Sequence, residues 1–119
     1  MIYVASPYSS KYSAVRDQRF ELVREFVADR LLIDREPVFS PIVYAHDLAQ
    51  AFSLPFDAAF WRRFNMHMLR RASAVYVLCL DGWVSSIGVS EEIQMAKDLG
   101  IPVHYYDQRG ILITGMESA

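Results

Sequence analysis

One cysteine, Cys79, is all the chain carries. It cannot close an internal disulfide or complete a zinc site by itself, so a disulfide-stapled secreted module and a zinc ribbon are both excluded. Excess charge is missing as well. Twelve Lys+Arg stand against 14 Asp+Glu, a net charge of -2, and no basic field exists to hold a nucleic-acid polymer. No apolar run approaches the roughly 20 residues of a membrane helix. Met1-Ile2-Tyr3-Val4 shows no basic region ahead of an apolar one. These absences lead us to expect a cytoplasmic protein with a small-molecule ligand and no membrane partner. The common phosphate and dinucleotide signatures are absent too. No G-x-G-x-x-G follows the first apolar run, no G-x-x-x-x-G-K-[ST] occurs, and no acidic pair ends the first strand. This excludes a dinucleotide oxidoreductase, a P-loop ATPase and a response regulator. His46, His67 and His104 have no ligand spacing with Cys79 or with one another, so neither a metal nor another cofactor is expected.

Apolar residues are plentiful: 53% of 119 is enough for one domain, residues 1–119, to fold without metal or disulfide. Five Gly and five Pro are spread thinly and act as punctuation, without repeats or linkers. Ile2-Tyr3-Val4-Ala5 reads as a strand stopped by Ser6-Pro7. From Tyr12 to about Leu32, the spacing of Phe20, Val23, Phe26, Val27 and Leu31 predicts a helix. Pro37 to Pro41 brackets a second short strand. A loop from Ile42 to Ser53 is expected to lead to Pro55 and a second helix over about Phe56 to Arg71. Ala74 to Leu80 is apolar without alternation, as a strand covered on both faces requires. A third helix is expected from Ser86 to Gly100, and Pro102 stops it before a strand at Val103 to Tyr106. The alternation predicts an α/β three-layer sandwich, with a mostly parallel, flavodoxin-like sheet of four to five strands and flanking helices.

In such sheets ligands bind beyond the carboxyl ends of the strands. Topology alone gathers Ser6-Pro7-Tyr8-Ser9-Ser10, Ser40-Pro41 and Asp81-Gly82-Trp83-Val84-Ser85-Ser86 at that edge. The third helix then separates two adjacent carboxylates. Val89, Ile93, Ala96 and Leu99 define its buried stripe. Glu92 falls about 40° from the centre of that stripe and Glu91 about 140° away. Glu91 is expected in solvent. Glu92 faces inward, where a carboxylate is costly unless paired; it is either a core residue satisfied by a tyrosine or backbone donor, or a site residue. Asn65 poses the same question on the second helix. It lies within the stripe of Trp61, Met68, Leu69 and Ala72, and its amide suits either an interhelical hydrogen bond or the edge of a nucleobase.

Three segments resemble the nucleoside 2-deoxyribosyltransferases and the related 2'-deoxynucleoside 5'-phosphate N-hydrolases, and together the likeness covers most of the chain. Ile2-Tyr3-Val4-Ala5-Ser6-Pro7-Tyr8 is similar to that superfamily's opening strand and loop. Met68 to Val77 is similar to its approach to the third strand, and Ser86-Ile87-Gly88-Val89-Ser90-Glu91-Glu92 to its nucleophile helix. The resemblance implies that Glu92, four residues after Gly88, is the nucleophile and that Tyr3 orients it. It also implies that Ser86, six residues before Glu92, meets a 5'-phosphate, where the transferases carry Asp. Two positions depart from the pattern. Asn65 and Ser73 stand where the superfamily usually has aspartates, and an asparagine cannot be a general acid.

The expected chemistry is cleavage of the N-glycosidic bond of a (deoxy)nucleoside 5'-monophosphate. Glu92 would attack C1', giving a glycosyl-enzyme ester that water or a second base resolves. Catalytic roles fall to Glu92 and Tyr3, and substrate contacts to Ser6, Tyr8, Ser9, Asn65, Asp81, Trp83, Ser86 and Gly88. A base proton could come from water, His67 or Asp81. The resemblance also implies a homo-oligomer. The rival expectations are a deoxyribosyltransferase and a non-catalytic nucleotide-binding or signalling module.

Overall fold

Side chains that alternate along the first strand divide the molecule into layers. In the computed structural model, which describes residues 1–116, β1 (Ile2–Ala5) is buried along its whole length. Ile2 and Val4 point to one face of the sheet, where they meet Phe20, Val23, Phe26 and Val27 of α1 (Ser13–Asp34) and Ile42 of α2 (Pro41–Phe52). Tyr3 and Ala5 point to the other face. There they join Leu69 of α3 (Ala58–Leu69) and Val89 and Ala96 of α4 (Ile87–Asp98). The central strand, β3 (Ala74–Leu78), divides in the same way, with Val75 and Val77 on the α3/α4 face and Leu78 on the α1/α2 face. Both of its faces are therefore apolar, which explains why its sequence shows no alternation.

β2 (Val38–Phe39) and β4 (Val103–Tyr106) run parallel to their neighbours. β5 (Leu112–Ile113) closes the edge antiparallel to β4. The strand order β2-β1-β3-β4-β5 is that of a doubly wound flavodoxin-like sheet. The chain is thus an α/β sandwich with four helices around a mostly parallel five-stranded sheet among the described residues. The order reverses between β1 and β3, so a crevice opens beyond their carboxyl ends. None of the described helices is long and apolar enough to cross a membrane.

Four expectations need correction. The segment read as a loop from Ile42 to Ser53 is helix α2: Ser40 caps it, its hydroxyl accepting from the Val43 N–H at 3.2 Å, and Pro41 stands in the first turn. Pro41 thus starts a helix as well as ending a strand. Pro55 does not start the next helix. Asp57 caps α3 through the Phe60 N–H at 2.9 Å, and α3 ends at Leu69. Leu31 leaves the core and is 48% exposed, because the inward side of α1 near its end is taken by Arg30, whose guanidinium lies over the Phe26 and Tyr106 rings. Leu99 is half exposed as the C-cap of α4.

Two loops at the crevice are tied together by Arg19 of α1. Its guanidinium donates to the Ser9 carbonyl at 3.0 Å, in the loop after β1, and to the Asp81 carbonyl at 2.9 Å, after β3. The approach depends on Gly82. Its φ is +90, and a Cβ there would stand 2.8 Å from the Arg19 Nη2. Gly82→Ala therefore strains the backbone and displaces the guanidinium, with an expected loss of about 1–3 kcal/mol. Urea unfolding of the two proteins measures this, and equal midpoints would contradict it.

Candidate active site

A cavity of about 310 Å³ occupies the crevice between the β1 and β3 ends. Ser6 and Tyr8 supply one wall, α2 another, and the facing sides of α3 and α4 close it through Trp61, Asn65, Gly88 and Glu92. Glu92 lies inside it and is only 5% exposed. The Tyr3 hydroxyl donates to Glu92 Oε2 from beneath, and Tyr3 is wholly buried. The pairing follows from the fold. Tyr3 is a residue of β1 that faces the α3/α4 layer, and Glu92 lies one turn after Val89 on the buried side of α4. Burial pushes the Glu92 carboxyl up to about 8. The Tyr3 hydrogen bond opposes that shift, and the nearby Glu91 charge adds to it. Burial, followed by the charge and hydrogen bond of Glu92, also holds the Tyr3 phenol well above its usual range.

Glu91 lies outside the cavity lining. It is half exposed, and Arg62 of α3 grips it with both ends of its fork, at 2.5 and 2.7 Å. That hydrogen-bonded pair lowers the Glu91 pKa and fastens α3 to α4. Two adjacent glutamates therefore titrate in opposite directions because of the faces they occupy.

Two buried oxygens in the cavity wall, Ser6 Oγ and Asn65 Oδ1, have no protein hydrogen-bond partner among the described residues. Neither oxygen accepts a hydrogen bond from another helix, so the interhelical bond that is one of the two readings of Asn65 is not made at Oδ1, and the residue instead lines the cavity. Buried polar groups are rarely left this way unless a ligand or water completes them. Ser86 also lines the cavity and caps α4, its hydroxyl accepting from the Val89 N–H at 3.2 Å. The Ile87 and Gly88 N–H groups next to it lie in the first turn and have no i−4 carbonyl within the helix. A Cβ on Gly88 would stand 3.5 Å from Ala58 Cβ, an ordinary contact, so packing alone does not demand glycine there. Its missing side chain leaves the α4 N-terminus open to the cavity. Ser9 lines the mouth, and its hydroxyl donates to the Phe56 carbonyl at 2.8 Å.

Asp81 and Trp83 do not line the cavity. The turn at Gly82 leaves Asp81 exposed and directs the Trp83 ring onto Tyr105 of β4, with 5.7 Å between centroids. Ser73 is also remote. It holds the chain start, its N–H and hydroxyl donating to the Met1 carbonyl at 2.8 and 3.2 Å. His46, in contrast, belongs to the site and was not expected there. It is 5% exposed, lies against the cavity from α2 and stacks on Phe20 at 4.0 Å. Its signal was available in the sequence, because Ile42, His46 and Ala49 share one helical face. Asp57 stands at the cavity rim. Among the described residues no three His, Cys, Asp or Glu side chains converge as a metal site.

Residues 1–108 match the family described as "Domain of unknown function (DUF1937)". The chain belongs to this family. Every cavity residue named above falls inside the DUF1937 span. Among curated proteins nothing matches the chain.

Proposed function

We propose that the protein cleaves the N-glycosidic bond of a (deoxy)nucleoside 5'-monophosphate, with Glu92 as nucleophile, as do the 2'-deoxynucleoside 5'-phosphate N-hydrolases it resembles. One observation carries the reading: a buried carboxylate in an open cavity, held by a buried tyrosine hydroxyl. Purely structural buried carboxylates have their oxygens enclosed by donors, whereas Glu92 keeps a face toward a space large enough for a sugar. The ionised carboxylate attacks C1', and the C1'–N bond breaks with its electron pair going to the base. Water then hydrolyses the ester with retention. Tyr3 fixes the attacking oxygen.

A second reading, a non-catalytic nucleotide-binding module, is favoured by the high Glu92 pKa and by the amide at Asn65, neither of which suits an acid–base pair at neutral pH. A deoxyribosyltransferase would use the same intermediate with a second base in place of water. Incubating the protein with a panel of ribo- and deoxyribonucleoside 5'-monophosphates, followed by chromatography of free base, separates these. Base release supports the hydrolase, release only with an acceptor base supports the transferase, and ligand-induced thermal shifts without release support the binding module. A nucleotide substrate is consistent with a cytoplasmic location. Exposed Tyr44, Phe60 and Phe64 on α2 and α3 favour self-association.

The phosphate is assigned to Ser86 and the open first turn of α4, where N–H groups and the helix dipole favour an anion. Ser86→Asp provides a clean test, because aspartate caps a helix as well as serine does but repels a phosphate. The expected result is at least about ten-fold weaker binding of the monophosphate, with nucleoside affinity and melting temperature nearly unchanged. Isothermal titration with both ligands measures it. Equal losses for nucleoside and monophosphate would remove the phosphate from this position.

A further inference from the structure

The proposed reaction needs a proton on the departing base, and Asn65 has none of the required acidity. A different set of residues reaches the cavity. The Tyr8 hydroxyl and His46 Nδ1 are 2.8 Å apart. His46 Nε2 lies 3.5 Å from Asp17 Oδ1 of α1. Gln50 holds the same aspartate oxygen through its Nε2 at 2.8 Å. Tyr8 and His46 both line the cavity that contains Glu92, whereas the Asp17 side chain is 54% exposed. The three groups thus form a line from solvent, through a buried imidazole, to a phenol at the cavity.

Resting on the reading above, we propose that Tyr8, His46 and Asp17 form a proton relay that protonates the leaving base and later accepts a proton from the attacking water.

Tyr8 is the catalytic residue, and His46 and Asp17 act through it as positioning residues. The carboxylate of Asp17 favours a proton on Nε2, leaving Nδ1 to exchange a proton with Tyr8. In the first step the C1'–N bond breaks as the Glu92 oxygen bonds to C1'. The Tyr8 O–H gives its proton to the base nitrogen, and the phenol oxygen takes one from Nδ1 of the imidazolium. In the second step water bonds to C1', and the C1'–O bond to Glu92 breaks with its electron pair returning to the carboxylate. The water proton passes to Tyr8, and the Tyr8 proton to Nδ1. The sum is one nucleotide and one water converted to free base and sugar phosphate, with every protein group restored. The charged groups around the Tyr8 hydroxyl are Arg16 and Asp17 of α1 and Asp47 of α2, and burial holds the phenol above its usual range. Tyr8 therefore carries a proton at neutral pH.

The test uses two substrates of the intact protein: the purine monophosphate cleaved best, and the 4-nitrophenyl glycoside of the same sugar 5-phosphate, whose leaving group departs without a proton. Tyr8→Phe and His46→Gln are measured on both, with thermal melts as a check on folding. Tyr8→Phe removes one oxygen and keeps the ring, so it remains informative if His46→Gln is poorly folded. The expected result is a fall of about 10²-fold or more in the ratio of purine to nitrophenyl kcat, with little change in KM. A merely structural role would lower both rates together and leave the ratio unchanged, and that result overturns the relay while Glu92 stands. Wild-type protein that cleaves the nitrophenyl substrate alone overturns the relay as well. Wild-type protein that cleaves neither substrate overturns the Glu92 reading, and the relay with it.

Discussion

Glu92→Gln is expected to bring base release down to background and, in the same protein, to remove a pH dependence of stability. The first effect follows because an amide cannot form the glycosyl ester. The second follows from the high pKa of the buried carboxyl. Its ordinary value of 4.5 rises to about 8 in the folded chain, so between these values the folded state holds a proton that the unfolded state has released. The stabilising contribution is complete below about pH 4.5 and is lost as pH rises toward 8, at up to about 1.4 kcal/mol per pH unit. Urea unfolding from pH 5 to 9 should show this fall in the wild type and a flatter curve in Glu92→Gln, with the variant the more stable at the alkaline end. Parallel curves would mean that Glu92 is ionised throughout. Activity runs the other way, since attack needs the carboxylate, and kcat/KM should climb with pH toward about 8. Tyr3→Phe removes the hydrogen bond that restrains the shift and should move the rise to higher pH. Glu91→Gln, outside the cavity, should leave base release close to the wild type.

Asn65→Leu is expected to make the protein more stable and a poorer binder. Asn65 Oδ1 is buried with no protein partner among the described residues, and an unsatisfied buried acceptor costs about 1–3 kcal/mol. Leucine is similar in size and has no polar atom to satisfy, so its melting temperature should be higher by several degrees. The same change replaces a polar group of the cavity wall by an apolar one and should weaken nucleotide binding by about ten-fold or more. Differential scanning calorimetry and isothermal titration on one preparation give both numbers. A drop in stability would show that the asparagine supports the fold and is not held in reserve for a ligand.

The contrast between Glu92 and His46 shows what periodicity makes legible. On α4 the apolar residues Val89 and Ala96 mark the buried face clearly, so periodicity alone places Glu92 inside, whereas Tyr3 is pointed to only by the resemblance of the first strand. On α2 the element itself is hard to see in the sequence. Pro41 and the polar residues Tyr44, His46, Asp47 and Gln50 resemble a loop unless Ser40-Pro41 is taken as a cap and first turn. Without a helix over Pro41–Phe52, His46 has no face and Asp17 no partner. β5 was invisible for a different reason: two residues carry no period, and only their pairing with Tyr105 and Tyr106 makes them a strand. Asp81 and Trp83 were placed at the site by chain proximity to β3. The left-handed turn at Gly82 redirects both.

The guanidinium of Arg19 spans the loops that follow β1 and β3 at the crevice, through hydrogen bonds wholly within the chain. Loops that must be ordered at the moment of binding subtract their lost freedom from the affinity. Here that ordering belongs to folding. Association should consequently resemble docking onto a rigid frame, with fast capture and little curvature in the temperature dependence of the on-rate. Arg19→Ala should transfer the ordering step back to the encounter.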